Sequence, residues 1–216
     1  MEALCRIKMS FPGALCARII SVLAIGVATA VCQSQPDLLE PPQTITFSTL
    51  TGTNLQPYTG STEGDFTVTP ITGQWFESFY YGNPEPSIFD GPIDDPGTAV
   101  IEITDSAGLF TLDGFDFSSN NGDSTYDIEG YLGGTLEYDE NGTLPGTFGP
   151  YNFSTLESTD STVLVDGVFI GIIPGSGATS INLDNIVVSQ VPEPAGALLL
   201  GLGLAAFISV RARIVK

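Results

Sequence analysis

The chain of 216 residues has no histidine, and its body has no basic residue of any kind. The six lysine and arginine side chains all lie near the two ends, at Arg6, Lys8, Arg18, Arg211, Arg213 and Lys216. Residues 19 to 210 carry 24 of the 25 acidic side chains, so no salt bridge between side chains forms there. Because a body of this charge repels other anions, nucleic acid is disfavoured as a partner, as are acidic polysaccharides without a bridging cation.

The same absences exclude most enzyme chemistry. Without His or Lys, the body has no Ser-His-Asp or Cys-His arrangement, no Schiff-base lysine and no P-loop lysine. Cys5, Cys16 and Cys32 all lie in or beside the N-terminal segment, so the body has no disulfide framework and no thiolate metal site. Glycoside hydrolysis by paired carboxylates remains open. Such a site needs a carboxyl group in an apolar pocket with aromatic walls, and the chain has a single tryptophan. We therefore expect the protein not to be an enzyme.

The N-terminal segment is typical of a secretory signal peptide. Basic residues precede an apolar stretch from Ile19 to Val31, and Ala28-Thr29-Ala30 supplies a cleavage site of the small-x-small type. We therefore predict a signal peptide over residues 1–30 and an extended, proline-containing linker over 31–43. The protein is expected to be exported.

The last 26 residues predict a short membrane anchor with an unfolded motif before it. The uncharged run 195–210 is a little shorter than the ~20 residues of a comfortable span, and Arg211 and Arg213 behind it supply a cytoplasmic stop. Pro192 and Pro194 keep the chain extended just before the apolar run, which leaves this site accessible at the membrane surface.

This arrangement resembles the PEP-CTERM sorting signal of bacteria that make extracellular polysaccharide. The residues that carry the resemblance are Val191, Pro192, Glu193, Pro194, the glycines of the apolar run, Arg211 and Arg213. The resemblance implies that segment 191–216 is recognised by exosortase, a processing enzyme embedded in the membrane. It also implies that the chain is held transiently in the inner membrane and then reaches the cell surface or the extracellular space.

The body alternates apolar and polar residues with a period of two. The alternating pairs are Phe66 and Val68, Ile101 and Ile103, Phe110 and Leu112, Phe115 and Phe117, Tyr126 and Ile128, Leu136 and Tyr138, Ile181 and Leu183, and Ile186 and Val188. This period predicts short strands with one buried face. We expect residues 44–190 to form one all-β domain of about eight to ten strands, an antiparallel β-sandwich of jelly-roll type.

Turn residues separate the predicted strands. Asn120-Asn121-Gly122-Asp123, Gly133-Gly134 and Asn141-Gly142 tolerate positive φ and predict hairpin turns. Asp113-Gly114 predicts a bulge, because the apolar alternation continues on both sides of it. The segment from Asn83 to Gly97 contains four prolines and predicts a long loop that holds no central strand.

The body is also similar to the β domains of PEP-CTERM proteins, in Gln74-Trp75-Phe76, in Gly82 to Ile88 and in Gly130 to Gly134. Its closing run, Ile181 to Val188, resembles the last strand of the galactose-binding-like jelly rolls that serve as carbohydrate-binding modules. This resemblance implies a β-sandwich whose function is to bind sugar.

In that family an aspartate of the last strand and acidic residues near the first strands hold a structural Ca²⁺. The resemblance therefore implies Asp184, Glu63 and Asp65 as calcium ligands. Carboxylate oxygens without competing cations suit Ca²⁺ in any fold, so Asp90 with Asp94 and Asp95, and the segment 116–127, are alternatives. The other interpretation of these carboxylates is a soluble acidic surface.

Aromatic residues suggest where a sugar would bind, since sugar-binding modules stack pyranose rings on exposed aromatic side chains. The candidates for such stacking are Trp75, Phe76, Phe79, Tyr80, Tyr81 and Tyr131. In a strand, adjacent rings point to opposite faces, so one ring of each neighbouring pair is expected outside the core. Trp75 and Tyr80 are the predicted glycan contacts, and the glycan is expected to be neutral because the body repels acidic ones.

These observations predict an exported, non-catalytic β-sandwich at the cell surface or in the extracellular matrix, associated with exopolysaccharide or biofilm. A carbohydrate-binding module with a structural Ca²⁺ and a carboxylate-based glycoside hydrolase are the alternatives. A groove with exposed aromatic rings favours the module, and two facing carboxyl groups ~5 to 10 Å apart favour the hydrolase.

Overall fold

A computed structural model describes residues 41–91, 98–148 and 152–191. These residues form strands joined by turns and loops, and they contain no helix long and apolar enough to cross a membrane. The predicted signal peptide 1–30 and membrane span 195–210 lie outside the described residues.

The described residues contain thirteen β-strands. In chain order they are β1 (Gln43–Ile45), β2 (Ser61–Glu63), β3 (Phe66–Thr72), β4 (Trp75–Ser78), β5 (Ser87–Asp90), β6 (Ala99–Asp105), β7 (Leu109–Asn120), β8 (Ser124–Leu132), β9 (Thr135–Leu144), β10 (Gly146–Thr147), β11 (Ser154–Glu157), β12 (Gly167–Pro174) and β13 (Ser180–Val191).

The strands form two sheets. One sheet has seven strands in the order β10-β7-β13-β5-β4, with β1 also paired to β13 and β11 to β7. The other has six strands in the order β2-β3-β6-β12-β8-β9. Pairing is antiparallel throughout the described strands except between β10 and β7. The fold is therefore all-β with two sheets, as predicted.

The core lies between the two sheets and is built from alternating residues of their strands. Ile101 and Ile103 of β6 and Ile170 of β12 are fully buried on the inner side of the six-stranded sheet. Across the core, the ring of Phe110 in β7 meets that of Phe66 in β3 edge-to-face, with centroids 5.4 Å apart. The predicted period of two is confirmed in the six-stranded sheet, where β3 and β6 bury alternate residues. In the seven-stranded sheet, β7 and β13 bury residues on both faces.

Three of the local predictions are confirmed. Gly133 and Gly134 both have positive φ, of 57° and 78°, in the two-residue turn that joins β8 to β9. Asn121 also has positive φ, of 68°, between β7 and β8. At the predicted bulge, Val187 pairs with Gly114 and Val188 with Leu112, so β7 contains one extra residue there.

The predicted turn at Asn141-Gly142 is wrong. Both residues lie inside β9, where Gly142 pairs with Tyr126 of β8. A Cβ atom on Gly142 would lie 2.8 Å from the Tyr126 ring. The glycine is there because the tyrosine ring lies over its backbone, which a sequence cannot distinguish from a glycine that permits a turn.

The predicted long loop 83–97 is also corrected. Ser87–Asp90 form β5, which lies between β4 and β13 in the seven-stranded sheet. The prolines at 84, 86 and 92 leave a proline-free window of five residues, which suffices for a four-residue strand that pairs on both sides.

Candidate functional site

The outer face of the six-stranded sheet carries a row of five residues that are neighbours through strand register. From β3 to β9 the row is Thr69, Glu102, Phe169, Glu129 and Asp139. We call it the central row. Phe169 of β12 therefore has a glutamate directly opposite on each neighbouring strand, with Cβ atoms ~5 Å away in such pairs.

Tyr131 supplies a second aromatic ring beside Phe169. It lies opposite Gly167 in the next row of the same face. The two rings meet edge-to-face with centroids 5.5 Å apart and an interplanar angle of 82°. The Tyr131 hydroxyl donates a hydrogen bond of 2.7 Å to Oε2 of Glu129, and this bond raises the pKa of Tyr131. The hydrogen bond fixes the ring relative to the central row.

Two glycines of β12 leave the Phe169 ring accessible. Gly167 and Gly171 are the same-face neighbours of Phe169 along the strand, and a Cβ atom on Gly167 would meet no atom within 4 Å. The resulting pocket has a volume of about 430 Å³. Its lining residues are Glu102, Thr104, Glu129, Tyr131, Gly134, Asp166, Gly167 and Phe169. This size is within the usual range of small-molecule sites.

The side chains that line the pocket include three carboxylates, which accept hydrogen bonds and carry negative charge. Within residues 41–91, 98–148 and 152–191, no hydrogen-bond donor reaches the carboxylate of Glu102. Asp166 accepts a bond of 2.8 Å from the backbone N–H of Gly133. Glu129 and Asp139 are directly opposed across β8 and β9. Asp127 lies two residues before Glu129 on β8, and its pKa is also raised. Partial desolvation is the larger cause, and the charge of Asp139 adds to it.

The two predicted glycan contacts lie elsewhere, and they differ in accessibility. Trp75 is 3 % exposed and its Nε1 donates to the backbone oxygen of Thr72, so its ring presents no face to a ligand. Tyr80 is 70 % exposed. Tyr81, the next residue, lines a second pocket together with Phe89. This pocket has a volume of about 290 Å³ and lies on the outer side of the seven-stranded sheet.

Two of the three predicted calcium ligands, Glu63 and Asp184, accept hydrogen bonds from backbone N–H groups. Glu63 accepts bonds from the backbone N–H groups of Thr46 and Thr49, and Asp65 lies in the turn after β2. Among the described residues, no group of three or more acidic, cysteine or histidine residues is placed to hold a metal ion. Calcium binding by Glu63, Asp65 and Asp184 stays an untested prediction.

Asp184 of β13 lies directly opposite Asp116 of β7, so the two carboxylates form a cross-strand pair. Its two carboxylate oxygens accept bonds of 2.6 Å from the backbone N–H of Asn83 and 2.8 Å from that of Asn185. Burial raises the pKa of Asp184 to about 7, against the effect of these two donors, and the charge of Asp116 adds to the rise. Because Asp184 is completely buried, this pair has no access to a substrate.

The segment 116–127 is a hairpin rather than a metal loop. Asp116 to Asn120 belong to β7, and Asp127 belongs to β8. Asp94 and Asp95 of the other alternative lie outside the described residues. Of the predicted sorting residues, Val191 is the last residue of β13 and pairs with Leu109. Pro192, Glu193, Pro194, Arg211 and Arg213 lie outside the described residues.

Sequence reasoning missed the central residues of this face. Phe169, Glu102 and Glu129 come from three different strands, and only the register brings them together. One local signal was present in the sequence, since Gly167, Phe169 and Gly171 alternate on one strand face. That spacing leaves an aromatic ring without same-face neighbours along its strand.

Comparisons with known proteins place the chain beside carbohydrate-binding folds at low similarity. No family model and no curated protein sequence matches it. The family 29 carbohydrate-binding module CBM29_1 from Piromyces equi aligns at TM-score 0.44 and 12% identity, over 69% of this chain and 89% of the module. The family 32 module from C. perfringens NanJ, solved with galactose, aligns at TM-score 0.40 and 16% identity, over 55% and 93%.

An enzyme domain also appears among the similar structures. The enzymatically active domain of the bacteriophage CBA120 tailspike protein 4 aligns at TM-score 0.37 and 16% identity, over 57% of this chain and 19% of the tailspike chain. With TM-scores below 0.5, these structures assign neither a ligand nor a site to this chain.

Proposed function

We propose that this protein is an exported, non-catalytic surface or matrix protein that binds glycan on the outer face of its six-stranded sheet. In this proposal the domain is a jelly roll of the galactose-binding-like kind. Its tail 191–216 is a PEP-CTERM signal processed by exosortase, and the mature protein associates with exopolysaccharide at the cell surface or outside the cell.

The observation that supports glycan binding is the accessible aromatic ring between two hydrogen-bond acceptors. A sugar ring has an apolar face of C–H groups and an edge of hydroxyl donors. Phe169 offers a flat apolar surface, and Glu102 and Glu129 lie beside it to accept hydroxyl hydrogens. A half-buried aromatic ring with an acceptor on each side can therefore stack on a sugar and accept hydrogen bonds from its hydroxyl groups.

Hydrolysis is the second candidate function, because Glu102 and Glu129 are two strands apart, ~10 Å at the usual strand spacing. That separation is near the upper end of the range for an acid and a base that activate water. However, Phe169 lies in register between the two glutamates and occupies the space where the scissile bond and the water would lie. The arrangement therefore suits binding better than cleavage.

The proposal is tested with the full chain in a detergent that has no sugar headgroup. Binding to an array of neutral oligosaccharides is measured for the wild type and for Phe169→Ala. Loss of one stacked ring removes about 1 kcal/mol, so we expect affinity to fall about five- to tenfold or below detection. Incubation of the bound sugars is expected to yield no shorter products.

Phe89→Ala is the matched control, since Phe89 is also half-buried on an outer sheet face but lines the other pocket. It should bind as the wild type does. If Phe89→Ala loses binding and Phe169→Ala keeps it, the ligand lies on the seven-stranded sheet. Absence of binding to every sugar of this array contradicts recognition of neutral glycans.

A further inference from the structure

We infer that the glycan recognised at the Tyr131–Phe169 pocket carries free, protonated amino groups, that is, unacetylated amino sugars. This inference rests on the proposed function and specifies its ligand. Carboxylates surround the aromatic pair in a body that contains no basic residue, and this placement supports it.

The pocket concentrates negative charge that the protein does not compensate. Glu102, Glu129 and Asp166 all line it, and Asp139 lies directly opposite Glu129. Like charges that face each other across strands are unfavourable. Since residues 19 to 210 contain no Lys, Arg or His, the cation that would relieve this repulsion has to come from outside the body.

The aromatic rings distinguish this pocket from a diffuse acidic surface. An ammonium group is attracted to the face of an aromatic ring, and the attraction increases when the group is partly desolvated. Phe169 lines this pocket, with a carboxylate directly opposite on each neighbouring strand. A metal ion would need several oxygen ligands at once, whereas this arrangement offers carboxylates with an apolar ring between them.

An amino sugar satisfies both features of the pocket. Its apolar face stacks on Phe169, and an ammonium group on the ring edge lies within reach of Glu102 on one side or Glu129 on the other. The Tyr131 hydroxyl already occupies Oε2 of Glu129, which leaves Oε1 directed away from that bond. A neutral sugar would use the same platform but would leave the carboxylate charges uncompensated.

The test compares two polymers of one backbone with the full chain in detergent micelles. The probes are a glucosamine oligomer and its fully N-acetylated counterpart of equal length, at about pH 5.5, where the amines of the glucosamine oligomer are protonated. We expect the unacetylated oligomer to bind at least about tenfold more tightly, which corresponds to one charge interaction of about 1.4 kcal/mol. Raising NaCl from ~0.05 to ~0.5 M should reduce this difference.

Variants separate the pocket from general attraction to an acidic protein. Glu102→Gln removes a charge inside the pocket, and Glu137→Gln removes one at an exposed position of β9. Glu102→Gln should remove most of the preference for the unacetylated oligomer, and Glu137→Gln should leave it in place. An oligolysine of similar charge should bind more weakly than the glucosamine oligomer, because it has no flat face to stack.

Each outcome decides one point. Equal binding of the two oligomers, lost in Phe169→Ala, would overturn the amine inference and leave the proposed function standing. Equal effects of Glu102→Gln and Glu137→Gln, or equal binding of oligolysine, would show that attraction comes from the overall charge and overturn the inference as well. Binding of neither oligomer, together with no binding on the neutral array, would contradict the proposed function itself.

Discussion

At the scale of single residues, Asp184 shows how a domain without basic side chains holds a buried carboxylate. Two backbone N–H groups, of Asn83 and Asn185, replace the cation that would usually pair with it. They do not compensate fully, because burial and the neighbouring Asp116 still raise the pKa of Asp184 to about 7. Relative to the protonated form, the ionised form of Asp184 is thus less favourable in the folded state than in the unfolded chain.

The raised pKa of Asp184 predicts that stability falls with rising pH. Its contribution is fully present below the ordinary value of 3.8 and is lost as pH rises through about 7. We expect the Tm of the wild type, measured in EDTA, to fall by several degrees more between about pH 5 and pH 8 than that of Asp184→Asn.

Glu137→Gln is the control for Asp184→Asn, since it removes one negative charge at an exposed site on β9. It should keep the full pH dependence of the wild type. Equal pH dependence in Asp184→Asn and the wild type would show that general repulsion among the carboxylates, and not this buried group, sets the trend.

At the scale of elements, the β8–β9 hairpin uses glycine in two different ways. Gly133 and Gly134 form its turn with positive φ. Gly130 instead lies within β8, opposite Tyr138 of β9, and a Cβ atom there would lie 2.0 Å from Cε1 of the tyrosine ring. The ring therefore covers the strand backbone and takes the place of the missing side chain.

This contact predicts that Gly130→Ala destabilises the domain by about 1–3 kcal/mol, the usual cost of overpacking. Tyr138 is buried, so its ring has little room to move away. Urea unfolding should show a lower midpoint with an unchanged slope. Gly167→Ala is the matched control, because its Cβ would meet no atom within 4 Å, and it should leave the midpoint unchanged. An unchanged midpoint in both variants would show that the ring yields easily.

The same hairpin shows how much the sequence could predict. Alternation and paired glycines are local signals, so the turn at Gly133-Gly134 and a strand on each side of it were predicted correctly. The end of β9 was not, because the strand continues through the turn predicted at Asn141-Gly142. The role of Gly142 depends on Tyr126, which is its neighbour only once the register is known. The proposed binding face was missed for the same reason, because Glu102, Phe169 and Glu129 become neighbours only in the folded sheet.

At the scale of the whole molecule, the two sheets differ in their outer faces. Polar residues on the outer side of the seven-stranded sheet are buried, among them Ser118, Asn182 and Asp184, each 1 % exposed or less. Hydrogen bonds such as that from Asn120 Nδ2 to Asn182 Oδ1, of 3.1 Å, satisfy them within the protein. The six-stranded sheet leaves its central row accessible. A ligand of appreciable size is therefore expected on the six-stranded side.

The last prediction concerns the junction between the domain and its tail, at Val191. Val191 belongs both to the proposed sorting motif and to β13, where it pairs with Leu109, so the motif follows the last strand without a linker. A chain that ends at Val191 keeps every pair of β13, and we expect it to fold with unchanged Tm. In a host with exosortase it should be soluble in the periplasm or medium, because the proposed anchor is gone.

Two companion variants separate sorting from folding. Changing Pro192, Glu193 and Pro194 to Ala should leave a folded precursor in the inner membrane, since the processing site is lost and the apolar run is kept. A chain that ends at Ser189 lacks Gln190, whose side chain bonds Gln43 and Asp105, and should show a lower Tm. Cell fractionation with immunoblotting gives the location of each variant. The sorting proposal is wrong if the chain ending at Val191 and the triple-alanine variant both reach the same compartment as the wild type.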